Sequence, residues 1–103
     1  MKKFSKRLGK CYVLSGAYAL DNQDAILVHG SINGISFTDT DFDNPHAWIE
    51  EGEVVYDLVL GSRWRKETYY SLMKAKSPKK YTFNETRNHV LATEHWGPWP
   101  EER

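Results

Sequence analysis

Residues 46–60, HAWIEEGEVVYDLVL, decide the fold of this chain because they predict a β-hairpin. Polar and apolar residues alternate on both sides of Glu51-Gly52, as they do in half-buried strands joined by a two-residue turn that contains Gly. In that register His46 lies directly opposite Asp57. Directly opposed Cβ atoms are roughly 5 Å apart, so we expect the Asp57 carboxylate to hydrogen-bond one imidazole nitrogen of His46.

The segments around the hairpin predict an α+β domain. The predicted elements are helices over 8–20, 65–75 and 83–94, and strands over 25–31, 46–50 and 53–60, with 35–38 as the candidate for a fourth strand. This order predicts a small, mostly antiparallel sheet of three to four strands, covered by an N-terminal helix and two C-terminal helices. A chain of 103 residues predicts one domain.

Two local patterns refine the C-terminal third. Thr82-Phe83-Asn84-Glu85 matches a capping box and therefore predicts the start of the last helix. The tail contains Trp96 and Trp99, which we expect to pack back onto the domain; an anchor for a partner protein is the alternative.

Composition restricts the partners and the compartment. Fourteen basic and fourteen acidic residues cancel, so no global field attracts nucleic acid or a membrane surface. No apolar run approaches the ~20 residues that span a bilayer. A single cysteine excludes an internal disulfide framework and favours a reducing, cytoplasmic location. Ala17-Tyr18-Ala19 imitates a signal cleavage site, but the apolar stretch before it is shorter than the ~7–15 residues expected, which favours the helix.

The single cysteine, Cys11, lies at the start of the first predicted helix. A helix N-terminus stabilises a thiolate and can bind an oxyanion, so the backbone N–H groups of Cys11 and Tyr12 form a candidate oxyanion hole. A lone cysteine is more often a small buried hydrophobe. His46 with Asp57 opposite it, however, has the orienting partner that a general base needs, and this favours a Cys11–His46–Asp57 catalytic triad. A structural His–Asp pair at the rim of the sheet is the alternative.

The segments that hold these residues resemble the transglutaminase-like branch of the papain-type cysteine enzymes, and are similar to the small lasso-peptide leader peptidases. The resemblance covers roughly residues 8–60. Its matching segments are a Cys at a helix start, LVHG at 27–30, HAWIE at 46–50 and VYD at 55–57. It implies a papain/transglutaminase-like fold with Cys11 as nucleophile, His46 as base and Asp57 as orienting acid. It also implies hydrolysis or acyl transfer at an amide or ester carbonyl of a peptide or protein.

A non-catalytic binding module is the alternative function. The chain is short, and the region before Cys11 offers Ser5, Lys6 and Arg7 where papain-type enzymes usually place a Gln or similar donor. These two features favour a pseudoenzyme, for example an accessory protein of a phage or mobile element that binds a host factor. The oligomeric state stays open.

Other polar residues give weaker signals. Asp39, Asp41, Asp43 and Glu50 have the spacing of calcium ligands in an EF-hand loop, but the flanks are predicted strands, so we expect a solvated acidic loop. The spacing of His89 and His95 does not suit a zinc site. His29 and Trp48 are candidates for lining the active site. The sequence predicts no metal and no cofactor.

Overall fold

The structure, a computed structural model, describes residues 10–33 and 44–100 of the chain. This part of the chain contains three helices and five strands. In chain order they are α1 (Cys11–Asp21), β1 (Ile26–Ile32), β2 (Asn44–Glu51), β3 (Val54–Asp57), β4 (Ser62–Arg65), α2 (Lys66–Leu72), β5 (Lys76–Tyr81) and α3 (Phe83–Thr93). The α+β class predicted from the sequence is confirmed. Within the described residues, no helix has the length and apolar character needed to cross a bilayer.

The sheet has the strand order β4-β3-β2-β1-β5, and every neighbouring pair is antiparallel. Its five strands exceed the predicted three to four because both edge strands were missed. The segment Ser77-Pro78-Lys79-Lys80, which lies between the predicted helices 65–75 and 83–94 and was assigned to no strand, belongs to β5. Five of the six residues of β5 are exposed, so it lacks the alternating pattern that identifies a half-buried strand. The candidate strand at 35–38 lies outside the described residues.

The predicted hairpin is confirmed, but its register is corrected. The loop is Gly52-Glu53, one residue later than predicted, and Gly52 has a φ of +62°. Type II′ turns place Gly at this first loop position, because a positive φ there is costly for other residues. Ile49 therefore pairs with Tyr56, two residues away from the predicted register. A shift of two keeps each side chain on its face, so His46 and Asp57 become diagonal neighbours on one face.

The predicted strand 53–60 ends early, at Asp57. The carboxylate of Asp57 accepts hydrogen bonds from the backbone N–H groups of Val59 and Leu60, and the Asp57 carbonyl accepts one from Gly61. Aspartate side chains that bond to the following backbone in this way favour a turn over a continued strand. The turn places the Asp57 side chain at the end of β3.

Two apolar clusters lie against the sheet. The first contains Cys11, Val28, Ile32, Ala47, Trp48, Val55, Val59, Tyr69 and Met73, and the second contains Ala19, Ala25, Leu27, Ile49, Tyr81 and Trp99. Helix α1 contributes Cys11 to the first cluster and Ala19 to the second, so it links the two.

The C-terminal tail packs onto the domain, as predicted. Trp99 is completely buried in the second cluster. Trp96 lies against Gly16 of α1, where an added Cβ would come within 2.5 Å of the indole ring. The predicted capping box at the start of α3 is confirmed, with Thr82 and Glu85 each bonded to the other's backbone N–H.

Candidate active site

The structure brings Cys11, His46 and Asp57 together from three different elements. Cys11 is the first residue of α1, His46 lies near the start of β2, and Asp57 ends β3. His46 Nε2 is 2.9 Å from Asp57 Oδ2, and His46 is also hydrogen-bonded to the Cys11 side chain. The three residues are 3%, 2% and 0% exposed, respectively.

The carboxylate of Asp57 accepts four hydrogen bonds. Oδ1 accepts from the backbone N–H groups of Val59 and Leu60, each at 3.0 Å. Oδ2 accepts from His46 and, at 2.7 Å, from the hydroxyl of Tyr69. Burial alone would raise the pKa of Asp57, but these hydrogen bonds and the charge of His46 outweigh it and lower the pKa. Asp57 is therefore held as an anion in one orientation.

The environment of His46 favours its protonated form. Burial of the ring opposes the positive charge, but the hydrogen bonds to Asp57 and Cys11, with the negative charges that these groups can hold, raise the pKa of His46 to about 9. At neutral pH the ring is therefore an imidazolium between a carboxylate and a thiol. An imidazolium stabilises an adjacent thiolate, the reactive form of cysteine.

The start of α1 holds the backbone groups that the sequence assigned to an oxyanion hole. The helical hydrogen-bond ladder begins with Leu14 N–H bonding to the carbonyl of Lys10 at 2.9 Å. The amides of Cys11 and Tyr12 precede this ladder, beside the sulfur. Their role in binding an oxyanion stays a prediction.

Of the two residues predicted to line the site, Trp48 lies next to the triad. Its ring is 6.2 Å from that of His46 at an angle of 30° and 5.5 Å from that of Tyr69. Because Trp48 is completely buried, it contacts His46 from the interior of the protein and packs the imidazole ring in place.

The other residue, His29, does not join the triad. On β1, His29 pairs with Ala47 whereas Gly30 pairs with His46, so strand alternation points the His29 side chain to the opposite face of the sheet. Its ring lies 4.7 Å from that of Tyr12 and 4.8 Å from that of Trp99. The prediction that His29 lines the site is corrected: His29 belongs to an aromatic cluster beneath the C-terminal tail.

A second buried carboxylate, Glu50, lies on the same strand as His46. It accepts hydrogen bonds from Trp48 Nε1 and the Tyr70 hydroxyl, and forms ion pairs with Lys80 at 3.1 Å and Lys66 at 3.6 Å. Burial opposes the charge, but these partners lower the pKa of Glu50. Glu50 thus lies in the sheet, not in a calcium loop.

The other acidic residues with EF-hand-like spacing, at 39, 41 and 43, belong to the predicted solvated acidic loop, which lies outside the described residues. Within 10–33 and 44–100, no group of His, Cys, Asp and Glu side chains could hold a metal ion.

Sequence reasoning missed the hydroxyl groups of Tyr69 and Tyr70. Tyr69 lies within the predicted helix 65–75, and a buried tyrosine hydroxyl usually finds a partner. The helical pattern could not indicate that Tyr69 bonds to Asp57 and Tyr70 to Glu50, since each contact joins residues from different elements.

Comparisons of the chain with known protein families, with curated proteins and with solved structures find no match. The resemblance to papain-type and transglutaminase-like enzymes therefore stays a hypothesis, and the function has to be argued from the geometry of the site.

Proposed function

We propose that this protein is a cysteine hydrolase or acyltransferase that acts on an amide or ester carbonyl of a peptide or protein. One observation carries the proposal: the chain's single cysteine is hydrogen-bonded to a buried histidine, which is itself bonded to a fixed carboxylate. A nucleophile bonded to a base, with the base oriented by a third group, is the arrangement that covalent catalysis requires.

The proposed reaction has two steps. The Cys11 thiolate attacks the carbonyl carbon, and the negative charge moves to the carbonyl oxygen, which the backbone N–H groups of Cys11 and Tyr12 stabilise. His46 donates its proton to the leaving amine or alcohol as the carbon–heteroatom bond breaks, which leaves a thioester on Cys11. Neutral His46 then accepts a proton from water or from an acceptor amine as that nucleophile attacks the thioester. The thiolate leaves, and hydrolysis or acyl transfer is complete.

Asp57 acts through His46 in both steps. Its carboxylate fixes the ring with Nε2 toward Asp57 and stabilises the imidazolium that precedes proton donation. The backbone bonds from Val59 and Leu60 hold the carboxylate while the charge on His46 changes. The reaction needs a reduced thiol, which fits a cytoplasmic protein. The sequence resemblance to papain/transglutaminase-like enzymes supports the same assignment.

A non-catalytic binding module is the second candidate, and the burial of the site favours it. The side chains of Cys11 and His46 are almost completely enclosed, whereas a substrate carbonyl has to reach the sulfur. In this alternative the three residues are a polar cluster within the core.

The reactivity of Cys11 with iodoacetamide distinguishes the two candidates. Alkylation of the intact protein reports on Cys11 alone, because the chain contains one cysteine. Burial slows alkylation at every pH, so the informative quantity is the ratio of the rates at pH 8 and pH 6. An ordinary thiol with a pKa near 8.5 loses roughly 75-fold in rate over this range. A thiolate paired with His46 is expected to lose less than about tenfold.

Two controls complete the experiment. The urea-unfolded chain provides the ordinary ratio for the same cysteine, and His46→Ala is expected to approach that ratio while folded. His95→Ala, which removes an exposed histidine outside the site, is expected to keep the wild-type ratio. An ordinary ratio in the folded wild-type protein, unchanged by His46→Ala, would exclude the cysteine enzyme and leave the binding module.

A further inference from the structure

Helix α2 places two consecutive tyrosine hydroxyls against two buried carboxylates. Tyr69 donates to Asp57 Oδ2 at 2.7 Å, and Tyr70 donates to Glu50. The ring of Trp48 lies between these contacts, 5.5 Å from the ring of Tyr69 and 5.8 Å from that of Tyr70. The two hydroxyls are alike in chemistry, but only that of Tyr69 reaches the acid bonded to His46.

Tyr69 and His46 share one acceptor atom. Both donate to Oδ2 of Asp57, while Oδ1 is occupied by the backbone N–H groups of Val59 and Leu60. The backbone bonds already fix the carboxylate, so Tyr69 is not required to hold it in place. A second donor on Oδ2 withdraws negative charge from the oxygen that stabilises the imidazolium, and so weakens its hold on the His46 proton.

We propose that Tyr69 is a positioning residue of the triad: its hydroxyl moderates the bond between Asp57 and His46, and thereby sets the pH range over which His46 keeps its proton. This inference rests on the proposed function for its catalytic meaning. Among residues 10–33 and 44–100, the titratable groups that face this proton come from three sides. They are Cys11 of α1, Asp57 at the end of β3, and Tyr69 of α2, with Glu50 and Tyr70 beyond Trp48.

The structure offers a matched pair of variants. Tyr69→Phe removes the hydroxyl from Asp57, and Tyr70→Phe removes an equivalent hydroxyl from Glu50 one residue later. The titration of His46 is followed by the NMR signal of its Cε1–H group, which His46→Gln identifies by its disappearance. In Tyr69→Phe the midpoint is expected to rise by about 0.5 or more, since Oδ2 then accepts from His46 alone. In Tyr70→Phe it is expected to stay at the wild-type value.

A midpoint that is unchanged or lower in Tyr69→Phe would overturn the proposal, as would an equal rise in both variants. If Tyr69→Phe does not fold, a monofluorotyrosine at position 69 keeps the ring and the hydroxyl. Its more acidic hydroxyl donates more strongly, so the midpoint is expected to fall; no fall would equally overturn the proposal.

This titration separates the role of Tyr69 from the proposed enzymatic function. The NMR midpoint depends on the contact between Tyr69, Asp57 and His46 and requires no reaction at the thiol. If Cys11 alkylates as an ordinary cysteine while Tyr69→Phe raises the midpoint, the enzyme proposal fails and the coupling through Asp57 stands. If Cys11 is activated but the midpoint does not move, the coupling fails alone.

Discussion

Raising the pH from 6 to 9.5 is expected to destabilise the folded protein through His46. The pKa of His46 is about 9 in the folded state and close to about 6.5 in an unfolded chain. A folded-state pKa above the unfolded one means that the folded protein binds the proton more tightly. This stabilisation is fully present below about pH 6.5 and is lost as the pH rises through about 9.

The size of the effect follows from the same two values. Each tenfold difference in proton affinity corresponds to about 1.4 kcal/mol, so the loss between pH 6 and 9.5 is on the order of 3 kcal/mol. Asp57 and Cys11 both act on the proton of His46, so their effects are already contained in its pKa and are not added to this loss. Asp57 has the opposite dependence, because its lowered pKa stabilises the fold above about pH 4 and this stabilisation is lost in acid. Maximum stability is therefore expected between about pH 4 and 6.5.

Urea unfolding, followed by tryptophan fluorescence at intervals from pH 6 to 9.5, measures the predicted loss. The pH series ends at 9.5 because of Tyr69, whose pKa is raised in the folded state by burial and by Asp57. Unfolded tyrosines ionise near pH 10, so at higher pH Tyr69 would add a second loss of folding stability. His95→Gln, an exposed control, is expected to keep the full loss, and His46→Gln to remove most of it. A loss below about 1 kcal/mol in the wild-type protein would refute the charged triad described above.

Three further predictions concern packing and helix capping, and are measured by the same urea unfolding at pH 6. Trp99→Ala is expected to cost about 3–5 kcal/mol because it leaves a cavity where a fully buried ring was packed. The control Leu91→Ala, at a side chain that is 69% exposed, is expected to change stability by less than about 0.5 kcal/mol. Equal costs would contradict the packing of the C-terminal tail on the domain. Gly30→Ala is expected to cost about 1–3 kcal/mol, since its Cβ would lie 2.9 Å from the ring of Trp48, and a neutral result would argue against that contact. Thr82→Ala is expected to cost about 1 kcal/mol through loss of the capping box, and Thr82→Ser should restore most of it.

The sequence predicted the elements that alternate in polarity and missed those that do not. The strands around His46 and Asp57 were found because polar and apolar residues alternate along the sequence, although β2 is buried on both faces from His46 to Glu50. Strand β5 was missed because it is an edge strand in which exposed lysines surround Pro78. Lysine and proline are the residues that protect a sheet edge against pairing with other chains, and they are also the residues that indicate a loop in a sequence.

The contact between His46 and Asp57 was predictable because an error of two residues in strand register leaves every side chain on its predicted face. The turn lies one residue later than predicted, but His46 and Asp57 stay on one face and in contact. The face of His29 was not predictable, because the sequence gives no register between β1 and β2, and the structure pairs His29 with Ala47. The contact between Tyr69 and Asp57 was not predictable from the sequence, because it depends on how α2 packs against the end of β3.

Glu50 and Asp57, the two buried carboxylates among the described residues, are neutralised in different ways, and the difference favours a chemical role for Asp57. Glu50 is paired with Lys80 and Lys66, and Lys80 is 50% exposed, so permanent cations with access to solvent balance its charge. Asp57 is completely enclosed and is balanced by the proton of His46. A buried ion pair adds little net stability compared with apolar residues, and a lysine would balance Asp57 more durably. A cation that can give up its proton is what an acid–base reaction at Cys11 requires.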